Sequence, residues 1–158
     1  MDLCTGSGAI AISLAKYIAN SEITALDISE KALEIAKLNA KKNEVENQIT
    51  FIKSNLFEKL PNKKYDMIVS NPPYIKKEVI KTLDKEVLKE PNIALDGGED
   101  GLDFYREIIK HGYEYLKYGG YLCLEIGYDQ KDEVIQLIEQ EEKYINTYCK
   151  KDLCDKDR

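Results

Sequence analysis

The chain has 158 residues, 43% of them hydrophobic, and a net charge of −6. That length suits one domain around a single core, and no run approaches the roughly 20 apolar residues of a membrane span or reads as a basic-then-apolar leader. Arg106 and Arg158 are the only arginines, and the lysines cluster only in short pairs such as Lys41-Lys42 and Lys76-Lys77, so composition weighs against direct nucleic-acid binding, which uses a basic face and arginine forks. The four cysteines, Cys4, Cys123, Cys149 and Cys154, make no C-x-x-C pair, and the only histidine, His111, falls in an amphipathic segment. The expectation is no metal site, and reduced thiols in a cytoplasmic protein.

Strands and helices alternate along the chain. Met1 to Cys4 reads as the end of a strand and Gly8 to Tyr17, rich in Ala, Ile and Leu, as a helix. A short strand from Ile23 to Leu26 ends at Asp27. Ser29 reads as the N-cap of a helix from Glu30 to about Lys42, with Leu33, Ala36 and Ala40 on one face. Ile49 to Ile52 is a third strand and Tyr65 to Ser70 a fourth. A long loop from Tyr74 to about Gly101, with a short helix near Glu78 to Leu83, has the length of a functional segment. Leu102 to about Lys117 reads as a helix stopped by Gly119-Gly120. Tyr121 to Ile126 is expected as a fifth strand, Gln130 to Glu142 as a helix and Tyr144 to Tyr148 as a sixth strand. This alternation predicts an α/β fold with a doubly wound, mainly parallel sheet. There is no internal repeat and no low-complexity tract.

Two loops carry chemistry. Cys4-Thr5-Gly6-Ser7-Gly8 joins the first strand to the first helix. Its glycines permit a sharp turn and a close ligand approach beside the free N–H groups of a helix start. Gly6-x-Gly8-x-x-Ala11 also fits a loose dinucleotide fingerprint, and Asp27 stands where a ribose diol would be held in either case. No G-K-[ST] follows, so a Walker A loop is excluded. The second loop, Asn71-Pro72-Pro73-Tyr74, ends the fourth strand, because consecutive prolines cannot donate to a ladder. At the carboxyl edge of a parallel sheet, where ligands bind, the Asn71 side-chain oxygen and the Pro72 carbonyl could accept the two hydrogens of a planar NH2, with Tyr74 holding its face. Hydride transfer has no use for such a box. Methyl transfer from a sulfonium to a poorly nucleophilic amide or exocyclic nitrogen does.

With Asp2-Leu3-Cys4-Thr5-Gly6-Ser7-Gly8, Asp27, Asn71-Pro72-Pro73-Tyr74 and Glu90-Pro91-x-x-Ala94-Leu95-Asp96-Gly97-Gly98-x-Asp100-Gly101-Leu102, essentially the whole chain resembles the catalytic domain of the class I glutamine N5-methyltransferases of peptide chain release factors. The resemblance implies a Rossmann-like methyltransferase domain across residues 1–158 and S-adenosyl-L-methionine as cofactor. Cys4, Thr5, Gly6, Ser7 and Gly8 would wrap its methionine part, Asp27 would take the ribose hydroxyls, and Asn55 and Leu56 would lie beside adenine. Asn71, which would also border the cofactor, and Pro72 would bind the glutamine amide of the Gly-Gly-Gln motif, with Pro73 and Tyr74 completing the contact. The partners implied are release factors, with no metal and no membrane.

Three departures from the family pattern stand out. Asn55 replaces the usual acid. The family's N-terminal helical, substrate-binding domain is absent. The last strand, which in the family inserts between the fifth and sixth, is missing, so the resemblance implies a fragment with an open edge at Tyr121 to Ile126 and weak order after about Tyr144. Two other functions share some of these features. One is a nucleic-acid amino-methyltransferase acting on ribosomal RNA guanine N2 or DNA adenine N6. The other is a non-catalytic cofactor-binding subunit, for which the Asn71 to Tyr74 box would have no chemical purpose.

Overall fold

The computed structural model describes residues 1–84, 89 and 91–158; Glu90, named above among the motif residues, lies outside them. The chain divides into two compact units, Met1–Asn71 with Tyr115–Cys123, and Pro72–Glu114 with Leu124–Arg158.

The first unit is built from β1 (Asp2–Leu3), α1 (Ala9–Tyr17), β2 (Ile23–Asp27), α2 (Glu30–Lys42), β3 (Ile49–Lys53), β4 (Tyr65–Ser70) and nearly all of β5 (Leu116–Leu124). The sheet order is β3-β2-β1-β4-β5, and β1 pairs in parallel with both β2 and β4. This is the doubly wound order, with its reversal between β1 and β4. The first four residues of β2 are all buried, as expected of a central parallel strand read as a continuous apolar run. A cluster of Ala11, Ile12, Ala15, Ile23, Ala25, Ala40, Val45 and Ile49 forms the core between these elements.

The expected start of α2 is borne out: the Ser29 hydroxyl accepts from the Ala32 N–H at 3.3 Å. Leu33, Ala36 and Ala40 are its buried face. Gly8 has a packing reason beyond its turn. A Cβ there would stand 3.1 Å from both the Ala36 Cβ and the Ile12 Cδ1, so α1 and α2 approach through two small residues.

The second unit holds α3 (Lys77–Ile80), α4 (Asp103–Gly112) and α5 (Lys131–Gln140), with a 3-10 turn at Asn92–Ala94. α4 and α5 are in contact, and Tyr105, Ile108 and Ile109 of α4 and Val134 of α5 are buried.

Three expectations change. The helix expected to reach Lys117 ends at Gly112, and β5 begins at Leu116. Gly119-Gly120 therefore lies inside a strand instead of stopping a helix. A Cβ on Gly120 would meet the Asp66 and Lys117 carbonyl oxygens at 3.0 Å, so the glycine is there for backbone approach. The short helix near Glu78 to Leu83 is a single turn at Lys77–Ile80. Tyr144 to Tyr148 is not a strand. Asn146 is left-handed at φ 57°, which breaks an extended run, and the Tyr144 hydroxyl donates instead to the Ile109 carbonyl at 2.7 Å.

Gly8 and Gly6 separate packing from backbone strain. Gly6, at φ +55°, has nothing within 4 Å of an added Cβ. Gly6→Ala is expected to cost about 1 kcal/mol and Gly8→Ala about 2–3 kcal/mol, the excess coming from contact with α2. Urea midpoints measured at constant m check this, and equal losses would contradict it.

Candidate functional site

In the first unit the site grows from one register. Leu3 lies opposite both Leu26 and Ser70, and the Ser70 hydroxyl donates to the Leu3 carbonyl at 2.8 Å. The loops after β1, β2 and β4 thus leave the sheet at the same level. Cys4, Gly6 and Gly8 are all left-handed, at φ 58°, 55° and 84°, which coils the loop tightly. Its shape is held by Thr5 N–H to Leu26 carbonyl at 2.8 Å and Gly8 N–H to Thr5 carbonyl at 2.9 Å.

Asp27 sits at the carboxyl end of β2, half-buried. One carboxylate oxygen accepts the Gly6 N–H at 2.9 Å and the other the Ser29 N–H at 2.8 Å. Each oxygen retains a lone pair, so the pair can still accept from two hydroxyls. The Asp27 carbonyl accepts the Ser54 N–H at 3.0 Å, which ties the loop after β3 to this edge. In that loop Leu56 is left-handed at φ 44°, and its carbonyl accepts the Ser54 hydroxyl at 2.9 Å. Asn55 is exposed and gives its amide to Glu58 at 2.9 Å. Phe57 stacks on Tyr115 with centroids 4.9 Å apart.

Asp2, quoted above only as part of the loop motif, emerges as a residue of consequence. It is wholly buried. One of its oxygens accepts the Thr5 hydroxyl at 2.6 Å and the Ala11 N–H at 3.1 Å, closing the first turn of α1, while Oδ1 has no partner. Burial pushes its carboxyl up to about 6. Burial also drives the Cys4 thiol up to about 12, so Cys4 stays protonated and is no nucleophile. The Thr5 hydroxyl is committed to Asp2, and the Ser7 carbonyl accepts the Asn39 amide at 2.9 Å. Open space at Gly6, two accepting oxygens on Asp27 and an orphaned oxygen on Asp2 fit a ligand with a ribose diol and an ammonium group. Asn71, the last residue of this unit, is exposed.

The second unit begins with Pro72, buried like Pro73, followed by half-buried Tyr74. Here the Ala-Leu-Asp-Gly-Gly stretch acquires a physical reason. Ile75 and Asp96 form a parallel bridge, with Ile75 N–H to Leu95 carbonyl at 3.0 Å and Gly97 N–H to Ile75 carbonyl at 2.9 Å. A Cβ on Gly97 would lie 2.7 Å from the Tyr74 Cα, and one on Gly101 2.4 Å from the Tyr74 carbonyl oxygen. Both glycines exist so that this loop can lie directly on the Pro73–Ile75 backbone. Gln130, read from sequence only as a helix start, completes the clamp. Its buried amide donates to the Tyr74 and Gly101 carbonyls, each at 3.1 Å, and accepts the Gly127 N–H at 3.0 Å. A glutamine beginning a helix carries no signal of this in the sequence. Asp100, by contrast, is exposed and held below the usual carboxylate range by Arg106.

A model for the methyltransferase small domain matches residues 1–99. The chain belongs to this methyltransferase family. Its relatives include the release factor glutamine methyltransferase of Fusobacterium nucleatum, 49% identical over 141 residues, covering 88% of this chain and 40% of that protein. The ribosomal protein uL3 glutamine methyltransferase of Francisella tularensis is 42% identical over 130 residues, covering 82% and 41%. The chain spans about two fifths of the length of these two curated relatives. Among solved structures, the ribosomal protein L11 methylase of Lactobacillus delbrueckii superposes with a TM-score of 0.62 at 25% identity, over 89% of this chain and 57% of that one. The resemblance drawn from the motifs, and the Rossmann-like class I methyltransferase fold, are therefore borne out. Among the described residues of this methyltransferase domain no helix is long and apolar enough to cross a membrane, and no His, Cys, Asp and Glu side chains gather as a metal site.

Gln130→Ala would leave two carbonyls and one N–H without their partners, and a loss of about 2–4 kcal/mol is expected. A thermal unfolding midpoint unchanged from the parent would contradict it.

Asp2 makes stability fall with rising pH. Its folded value, near 6, lies above its unfolded one. The benefit is complete below about pH 4 and lost by pH 6, a difference of up to about 3 kcal/mol. Relative to Asp2→Asn, the parent should therefore weaken between pH 4 and 6 in urea titrations. A difference independent of pH would refute the assignment.

Proposed function

We propose that the domain transfers a methyl group from S-adenosyl-L-methionine to the side-chain amide nitrogen of the glutamine in the Gly-Gly-Gln motif of peptide chain release factors. The observation that carries this is Asn71, exposed at the end of β4, level with the glycine-rich loop at the end of the neighbouring β1. The names of the glutamine methyltransferase relatives support the reaction class and offer ribosomal protein uL3 as the competing acceptor. On this reading residues 1–158 act as one catalytic domain in the cytoplasm.

Cys4, Thr5, Gly6, Ser7 and Gly8 would enclose the methionine portion of the cofactor through backbone groups. Asp27 would accept from the ribose hydroxyls, Asp2 would face the ammonium group with its free oxygen, and Asn55 and Leu56 would border adenine. When bound, the cofactor supplies an electrophilic methyl on a positively charged sulfur.

The chain's own task is the acceptor. An amide nitrogen is a poor nucleophile because its lone pair is delocalised into the carbonyl. The Asn71 side-chain oxygen and the Pro72 carbonyl would accept its two hydrogens, which raises electron density on nitrogen and fixes its lone pair in line with the methyl carbon. Tyr74 would cover the amide face, and Pro73 would stiffen the loop between them. The N–C bond would form as the methyl–sulfur bond breaks, with the neutral thioether as leaving group, and the cationic nitrogen would lose one proton to water only afterwards, so no side chain with a shifted pKa is required as base.

Asp27→Ala should weaken S-adenosylhomocysteine binding by about 1–3 kcal/mol, as hydrogen bonds to a carboxylate are lost. Asn71→Ala should leave that affinity nearly intact while lowering methyl transfer at least about a hundredfold, because its contribution is made mainly in the transition state. Calorimetry and transfer of labelled methyl to release factor, uL3, RNA and DNA test both. Binding of NAD without any response to S-adenosylhomocysteine, or an undiminished Asn71→Ala rate, would defeat the proposal.

A further inference from the structure

Tyr74 is gripped from a second direction, by a segment that none of the sequence motifs includes. Residues 150–158 close a small hairpin. The Arg158 N–H donates to the Lys150 carbonyl at 2.9 Å and the Asp152 N–H to the Lys156 carbonyl at 2.8 Å, with an antiparallel bridge between Lys151 and Asp157. The Asp152 carboxylate ties the turn, accepting the Cys154 and Lys156 N–H groups at 2.7 and 3.0 Å.

The hairpin delivers the Arg158 guanidinium to one place. Nη1 donates to the Tyr74 hydroxyl at 3.3 Å, and Nη2 to Glu125 Oε1 at 2.7 Å. The guanidinium carbon lies 6.0 Å from the Tyr74 ring centroid. Glu125 is itself anchored, because the buried Tyr105 donates its hydroxyl to the Glu125 carbonyl at 2.8 Å. The Arg158 and Glu125 side chains are 42% and 29% exposed. Ion pairs so open to water contribute little to stability. A planar fork does, however, fix direction, since its donors are rigidly spaced.

We infer that Arg158 is a positioning residue: bridging Glu125 and the Tyr74 hydroxyl, it sets the plane of the ring that covers the acceptor amide. This rests on the reading of Tyr74 as the amide-facing residue. The Gln130 clamp acts on the Tyr74 carbonyl and the Arg158 fork on its ring hydroxyl, and an amide sandwiched against a fixed ring presents its nitrogen in one orientation.

The test uses the full-length chain with release factor as acceptor, saturating in cofactor. Arg158→Ala is expected to lower kcat at least about tenfold, with S-adenosylhomocysteine affinity within twofold and the unfolding midpoint nearly unchanged. Arg158→Lys should recover only part of the rate, since a point charge lacks the fork, and Glu125→Gln should reproduce the loss in milder form. In a Tyr74→Leu background Arg158→Ala should add less than about twofold, because its effect runs through the ring. An unchanged rate in Arg158→Ala, or an equal loss in the Tyr74→Leu background, overturns the inference. A readout independent of activity is the Tyr74 ring signal in a 13C-tyrosine-labelled chain, assigned by Tyr74→Phe. It should shift in Arg158→Ala. If the parent methylates no glutamine, the functional reading fails, while an unmoved ring signal would still count against Arg158 as the positioning group.

Discussion

The register of β1 against its two neighbours is the constraint on which the cofactor side of this domain depends. β1 is two residues long, yet Leu3 sits opposite Leu26 on one side and Ser70 on the other. A slip of one residue would turn every side chain of the strand to the opposite face. It would carry Asp2 away from the first turn of α1 and break the Ser70 to Leu3 hydrogen bond. Burial of β1, with Leu3 fully enclosed, makes such a slip costly. The level exit of the loops after β1, β2 and β4 follows from that packing.

Few polar side chains are buried, and two of them organise loops. Asp2 uses one oxygen to close the α1 start and fix Thr5, at the cost of a carboxyl pushed up to about 6 by burial. A buried oxygen without a partner is disfavoured. A cationic ligand group would offset it. Gln130 is the opposite case, a neutral amide with both ends satisfied. It holds the carbonyls of Tyr74 and Gly101 without any electrostatic penalty, which suits a clamp whose task is rigidity.

The glycines of the loop at residues 97–101 show how a motif encodes a contact. Gly97 and Gly101 are not there for flexibility. Each stands where a Cβ would collide with the Tyr74 backbone, and the loop's bridge at Ile75 and Asp96 needs that approach. The Pro73–Ile75 backbone and the Ala-Leu-Asp-Gly-Gly stretch are thus two halves of one backbone packing.

Much was legible in the sequence because its signals are local. Strand-helix alternation, the Ser29 cap and the Leu33, Ala36 and Ala40 face depend on residues a few positions apart, and so did the doubly wound class they implied. The glycine loop, Asp27 and the Asn71 to Tyr74 box stand out in the sequence for a related reason: the residue types that bend a backbone, accept at the end of a strand or stop a strand are restricted. Sequence pattern and structure part where local preference and tertiary pairing disagree. Gly119-Gly120 looks like a helix stop, but the sheet recruits it into β5. Tyr144 to Tyr148 has strand composition, yet a left-handed Asn146 and the Tyr144 to Ile109 hydrogen bond hold it in a loop. Asp2, Gln130 and Arg158 owe their importance to partners 9, 56 and 84 residues away in the chain. No pattern along the sequence marks such a partner, because burial and hydrogen bonding at that range exist only once the chain has folded.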